Sequence, residues 1–339
     1  MTDSLLLKFD PNTIEHLGVS LYSKLPSVLS ELISNSWDAD ADKISIDFIE
    51  DGDNKEIIYV DDGDGMTFEE LNSKYLVIGR NRRKETQKQK SLKGRPVIGK
   101  KGLGKLSVFG ICDEIEIISI KSGLKNHFLM NLQEIKDSRG NEYSPNLQLH
   151  NTPTEEHSGT IIRLKKIRRK SNFDLEEIAL SLSKKFIIFS EMDARITKNG
   201  ELSSEVHITN ELKYQFLNTE FTWTFPDKKY DSSYPHWSHV KGSIITLKTP
   251  VRDTEMRGIY LTSRGKIVNR ASFYGARDND QFHNYVTGYL SIDFIDDETV
   301  MIASEKTAFI KQKAKRIRLK EKFFLEKRLF SRRKEKLKD

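Results

Sequence analysis

The chain has 339 residues, 37% of them hydrophobic, enough for two ordinary domains with their own cores. No apolar run reaches membrane-spanning length, and the Met-Thr-Asp-Ser start lacks a signal-peptide pattern, so no membrane role is expected. The single cysteine, Cys112, excludes a disulfide framework and a cysteine-rich zinc module; a reducing setting, cytoplasmic or (in a eukaryote) nuclear, is expected.

The net charge of +6 comes from two segments. Residues 311–339 hold 14 Lys/Arg and 4 Asp/Glu, which leaves the remaining chain with 42 basic and 46 acidic groups. Residues 80–105 hold 11 Lys/Arg against one acid, Glu85. These two patches, and not the bulk charge, are the places expected to contact polyanions.

In chain order, residues 21–37 carry apolar positions at helical spacing, with Val28, Leu29, Leu32 and Ile33 as the inner stripe. Residues 44–49 alternate with period two and read as a strand, residues 51–54 as a hairpin turn, and residues 56–60 as the next strand. A helix is predicted over 67–76, with Thr67 as its cap and Glu69 and Glu70 in its first turn. Residues 80–98 lack periodicity and read as a mobile loop. A short helix is expected at 105–110, strands at 114–120 and 159–164, a helix at 174–189, and a strand at 193–197 before the Asn199-Gly200 turn. From about 206 the texture turns to short Tyr/Trp/Thr-rich strands, among them 242–247, 257–262 and 288–294. Residues 311–339 read as a charged helix with Leu319, Phe323, Phe330 and Leu337 at four- and seven-residue intervals.

Four segments carry chemistry. Glu31, Asn35 and Asp38 stand at i, i+4 and i+7, on one helical stripe. An acid, an amide and a second acid there can handle water, a divalent cation and a nucleotide together. Asp61-Asp-Gly63-Asp-Gly65-Met66 follows a strand directly, so a carboxylate at the strand end could accept purine amino hydrogens while glycines let the backbone approach a flat ring. Gly99-Lys-Lys101-Gly102-Leu103-Gly104-Lys105 opens a helix, where bare N–H groups suit phosphate oxygens. It lacks the spacing of a P-loop and the surroundings of a dinucleotide fingerprint. Ser158-Gly159-Thr160 begins a strand with a hydroxyl placed to meet a phosphate.

In this order and spacing the four segments resemble the GHKL ATPases, which include DNA gyrase B, Hsp90, the sensor histidine kinases and MutL. The resemblance spans at least residues 25–165. It implies an α+β chain built on the Bergerat fold, a two-layer α/β sandwich with helices on one face of a mixed, mostly antiparallel sheet. Carried over, Glu31 would be the general base that activates water, Asn35 would coordinate Mg²⁺, and Asp38 would support the nucleotide site. Asp61 would bind the adenine amino group, with Gly63, Gly65 and Met66 shaping the ring pocket. Gly99, Lys101, Gly102, Leu103, Gly104 and Lys105 would meet the phosphates at an ATP lid over about 80–105, and Thr160 would close the adenine and phosphate side.

Asn35-Ser-Trp-Asp-Ala-Asp-Ala41 and the 61–66 segment look most like the MORC and bacterial MORC-like branch, although Lys101 stands where an aromatic is common. That branch implies domains at 1–205 (ATP-binding), 206–310 (a ribosomal-S5-like transducer) and 311–339 (a basic helical tail). The transducer would send a basic residue to the γ-phosphate, with Lys306 the first choice and Lys266 the second. The implied activity is Mg²⁺-dependent hydrolysis of ATP by an ATP-gated dimer, acting on DNA through the basic lid and tail. The alternative is an Hsp90-like protein-remodelling ATPase with a protein partner. An effector domain beyond residue 339 would fit either.

Overall fold

The computed structural model describes residues 7–8, 24–77, 90–99, 104–138, 142–226, 237–268, 271–272 and 281–296. The chain divides into two compact units, Met1–Lys213 and Tyr214–Asp339. The expected tail helix at 311–339 lies outside the described residues.

In the first unit, α1 (Leu25–Asp38) buries Val28, Leu29, Leu32 and Ile33, the stripe read from the sequence. Each such side chain contributes about 1.5–3 kcal/mol on leaving water. A hairpin follows, β1 (Lys43–Asp51) and β2 (Asn54–Asp61), joined at Gly52 and Asp53 with Gly52 at φ 57°. Thr67 and Glu70 form a reciprocal capping box at the start of α2 (Phe68–Glu70). The predicted helix then loosens into a π-turn over Leu71–Tyr75.

A 3-10 helix (Gly104–Gly110) leads into β3 (Cys112–Lys121), β4 (Leu124–Asn131), α3 (Leu132–Asp137), β5 (Asn146–Pro153) and β6 (Gly159–Ile167). The sequence left β4, α3 and β5 unread. β4 interrupts its apolar residues with a buried Asn126, and β5 is an edge strand with little apolar content.

The helix predicted to reach 189 is α4 (Leu175–Ser183), capped by Asp174. Just past its end the buried Lys213 ammonium donates to the carbonyls of Ser183 and Phe186 at 2.9 and 2.8 Å, satisfying acceptors that a longer helix would bond internally. Burial holds that ammonium down at about 7. β7 (Asp193–Lys198) and β8 (Glu201–His207) complete the sheet, which therefore extends past residue 206, where the composition changes.

The eight strands run in the order β8-β7-β1-β2-β6-β3-β4-β5. All neighbours are antiparallel except β1 and β7. Inward residues of the strands (Ile44, Ile46, Phe48, Ile57, Ile115, Ile117, Phe128) share one core with α1 and α4. The unit is thus an α+β assembly with a mixed, mostly antiparallel sheet, and the register of its strands decides what lies beneath α1.

The second unit holds a five-stranded sheet: β9 (Thr219–Phe225), β10 (Lys241–Leu247), β11 (Gly258–Ser263), β12 (Lys266–Ile267) and β13 (Val286–Ser291). The order is β9-β10-β13-β11-β12, with β11 and β13 parallel. Ile244, Ile259, Leu261, Val286 and Leu290 form its core. Among the described residues no helix is long and apolar enough to cross a membrane.

Candidate functional site

The site is built where α1 ends over the tips of β2, β6 and β3. On α1, Glu31, Asn35 and Asp38 are half-buried along one stripe, while Ser36 and Trp37 point into the protein. Asp61, the last residue of β2, turns its carboxylate under the helix. Its Oδ2 accepts the Ser36 hydroxyl at 2.8 Å, and its Oδ1 accepts the Gly63 N–H at 3.1 Å. Ser36 has one hydrogen and gives it to Asp61, so its oxygen accepts from the Tyr59 hydroxyl at 2.7 Å.

Burial is the largest influence on the Asp61 carboxyl. It pushes the group up to about 6 against the opposing hydrogen bonds from Ser36 and Gly63. Burial likewise raises the Tyr59 phenol well above its usual range. Two carboxylate oxygens offer about four acceptor positions, so the bonds from Ser36 and Gly63, with a further backbone contribution from Thr160, still leave room for a ligand's amino group.

Antiparallel register extends this polar row. Asp61 stands opposite Thr160 on β6, and Thr160 stands opposite Ser119 on β3. All three are buried on the face that α1 covers. Ser119 in turn accepts the Met66 N–H at 2.8 Å, which fastens the 61–66 loop to β3. The same loop is tied to the end of α1 where Asp64 N–H donates to the Ala39 carbonyl at 2.8 Å. Its glycines are needed for these close approaches. A Cβ at Gly63 would lie 2.7 Å from the Ala39 oxygen, and one at Gly65, where φ is 63°, would overlap the Ile120 carbonyl.

The structure thus places Asp38, Asp61, Gly63, Gly65, Met66 and Thr160 about the C-terminal end of α1, with Asn35 one turn and Glu31 two turns earlier on the same helix. Gly99 joins them through Asp38, whose carboxylate accepts its N–H at 2.9 Å. Gly104 and Lys105 open the 3-10 helix. Lys101, Gly102, Leu103 and Lys306 lie outside the described residues, and Lys266 sits in β12 beside the Arg264-Gly265 turn. Ser36, Tyr59 and Ser119 were not singled out from the sequence. Each reads there as an ordinary helix or strand residue, and only the register puts it against Asp61, Thr160 or Met66.

One expectation needs correction. Residues 80–98 read as a mobile loop, yet residues 90–99 are held down on the end of α1. Pro96 accepts the Trp37 indole N–H at 3.0 Å, Arg95 lies 4.7 Å over the Trp37 ring, and Lys90 pairs with Pro96 across a tight turn. A charged segment without periodicity looks loose in a sequence because its partners, the acids after α1, are fifty residues away.

Among the described residues no group of three His, Cys, Asp or Glu gathers to hold a metal. Mg²⁺ at nucleotide sites commonly takes one or two protein oxygens, with phosphates and water as its other ligands, and the Asn35 side-chain oxygen is of the kind that could supply one.

The features define an α+β unit with a mixed, mostly antiparallel sheet and a buried polar row beneath the end of α1. Residues 22–160 match the family model described as "Histidine kinase-, DNA gyrase B-, and HSP90-like ATPase". A domain of that family implies ATP hydrolysis in general terms. The chain is also 28% identical, over 328 residues, to a Herpetosiphon aurantiacus protein provisionally described as the type II restriction enzyme HgiDII. That alignment covers 88% of this chain and 51% of the relative, so the chain spans about half the length of the curated protein it matches.

Proposed function

We propose that this chain is a Mg²⁺-dependent ATPase that works as an ATP-gated, dimerising switch on DNA. The observation that carries the nucleotide reading is Asp61: a buried carboxylate at a strand end, held in place by Ser36 and Gly63, with acceptor capacity left over. Such an acceptor suits the amino group of adenine.

In this reading Asp61 accepts the adenine amino hydrogen, and Thr160, in the same polar row, closes that side of the pocket. Glu31, one turn before Asn35 on α1, takes the proton of the water that attacks the γ-phosphate. Asn35 offers its side-chain oxygen to Mg²⁺, which when bound neutralises charge on the phosphates. Gly99, Gly102 and Gly104 meet phosphate oxygens through backbone N–H groups, assisted by Lys101 and Lys105, with Leu103 between them. Phosphoryl transfer to water asks a protein mainly for positioning and electrostatics, which this set supplies.

The second unit is read as an S5-like transducer that returns Lys306 or Lys266 to the γ-phosphate. The family likeness supports ATP-driven pairing of two copies. The name of the Herpetosiphon aurantiacus relative, together with the basic segments at 80–105 and 311–339, favours DNA over a protein client.

The test is ATP turnover with and without double-stranded DNA across a salt series, beside mass determination with a non-hydrolysable ATP analogue. DNA-stimulated turnover and a mass doubling with the analogue are expected. No DNA binding at low salt would move the reading to a protein-remodelling ATPase, and no turnover would end it.

A further inference from the structure

The chain leaves α1 through Trp37-Asp38-Ala-Asp40-Ala-Asp42, and the three alternate acids each meet a different part of residues 91–99. Asp38 accepts two successive backbone N–H groups, Ile98 on Oδ1 at 2.7 Å and Gly99 on Oδ2 at 2.9 Å. Asp40 accepts the Ser91 hydroxyl at 2.5 Å and the Lys93 N–H at 2.9 Å. Asp42 pairs with Lys93 at 2.7 Å and Arg95 at 2.8 Å. Arg95 also donates to the Ala41 carbonyl at 2.5 Å.

These contacts are not equal. The Asp42 side chain is 57% exposed, and ion pairs in water hold little. Asp40 is buried, and the Asp38 bonds go to backbone amides whose positions they fix.

Two residue choices point the same way. Asp40 sits at φ 58°, the helix-ending position where glycine is the easy occupant. A carboxylate there accepts backbone strain and gains Ser91 and Lys93. Gly99 lacks a Cβ that would stand 2.7 Å from Asp38 Oδ2. Glycine at 99 thus leaves room for the Asp38 carboxylate, which a Cβ there would push aside.

We infer that Asp38 is a positioning residue: it grips the Ile98 and Gly99 amides and sets the backbone that meets the nucleotide phosphates, with Asp40 holding residues 91–93 behind it. The inference rests on the ATP reading above and gives Asp38 a role through the backbone, without a nucleotide contact of its own.

Asp38→Asn tests it, because the amide keeps one acceptor oxygen and turns a donor towards a donor. In the nucleotide-free protein, the Ile98 and Gly99 amides should exchange hydrogen faster, while the Met66 amide, bonded to Ser119, keeps its protection and reports an intact fold. ATP affinity should fall about tenfold, the scale of a lost charge-assisted hydrogen bond, with AMP affinity changed less than about twofold because Asp61 is untouched. Gly99→Ala, which drives a Cβ into Asp38, should give the same pattern with the carboxylate intact. Unchanged exchange at 98–99, equal losses for AMP and ATP, or tighter ATP binding (Asp38 competing with phosphate) would each overturn the inference. Wild-type protein that binds neither nucleotide would instead overturn the ATP reading, a result separate from the variant comparison.

Discussion

Ser36 donates its hydroxyl hydrogen to the Asp61 carboxylate at 2.8 Å, joining the buried face of α1 to the end of β2. Because Tyr59 feeds the same oxygen at 2.7 Å, the three groups form a buried relay that ends on the carboxylate. Removing its middle member leaves Asp61 buried with one fewer donor. Ser36→Ala should therefore weaken ATP binding about tenfold, the effect of losing a hydrogen bond to a charged group. Isothermal titration would measure it, and an affinity within about twofold of wild type would show that Asp61 needs no support from the helix.

The same carboxylate, in the proposed role, should make nucleotide binding depend on pH. Its folded value, pushed up to about 6 from 3.8, lies above that of the unfolded chain. The folded state therefore holds a proton between about pH 4 and 6 that the unfolded state has lost, and this group's contribution to stability falls as pH rises through that window. Acceptance of the adenine amino hydrogen runs the opposite way, because it favours the ionised form. ATP affinity should decline as pH drops below about 6, approaching tenfold per unit at the limit. Asp61→Asn should bind weakly and lose that dependence between pH 5 and 7. A wild-type profile flat over this range would remove Asp61 from the binding site.

A variant at Glu31, the proposed general base, should separate chemistry from binding. Glu31→Gln keeps the shape and the helix but cannot take a proton, so turnover should fall by about 10²–10⁴ while ATP affinity stays within a few fold. Steady-state phosphate release and equilibrium binding on the same variant distinguish the two. Residual turnover near wild type would place the base elsewhere.

Two glycines at similar φ angles allow a test of packing alone. Gly52 (φ 57°) has open space where a Cβ would stand, whereas a Cβ at Gly65 (φ 63°) would overlap the Ile120 carbonyl. Gly52→Ala should cost only its backbone strain, about 1 kcal/mol. Gly65→Ala adds displacement of β3 and should cost about 3 kcal/mol or more. Denaturant unfolding monitored by tryptophan fluorescence would rank them, and equal losses would mean that the 61–66 loop yields without strain.

Much of the first unit was legible because local patterns and tertiary packing agree there. The apolar stripe of α1, the hairpin at Gly52 and Asp53, and the Thr67–Glu70 capping box each follow from residue type and spacing. β4, β5 and the early stop of α4 were not legible. Asn126 breaks the strand pattern, and the group that caps α4, Lys213, lies thirty residues beyond it.

By itself the sequence determined that an acid, an amide and an acid share one helical stripe, that Asp61 ends a strand, and that glycines follow at 63, 65 and 99. The tertiary structure decided which groups surround them. Strand register, which no single segment encodes, lines Asp61, Thr160 and Ser119 in one buried row. The fold of residues 90–99 onto the end of α1 makes Asp38 and Asp40 fixed acceptors. Spacing along the chain sets which face a side chain occupies. Only pairing between distant segments sets what it meets there, and in this site that pairing makes Asp61 a buried carboxylate held by Ser36 and Gly63, and Gly99 the close neighbour of Asp38.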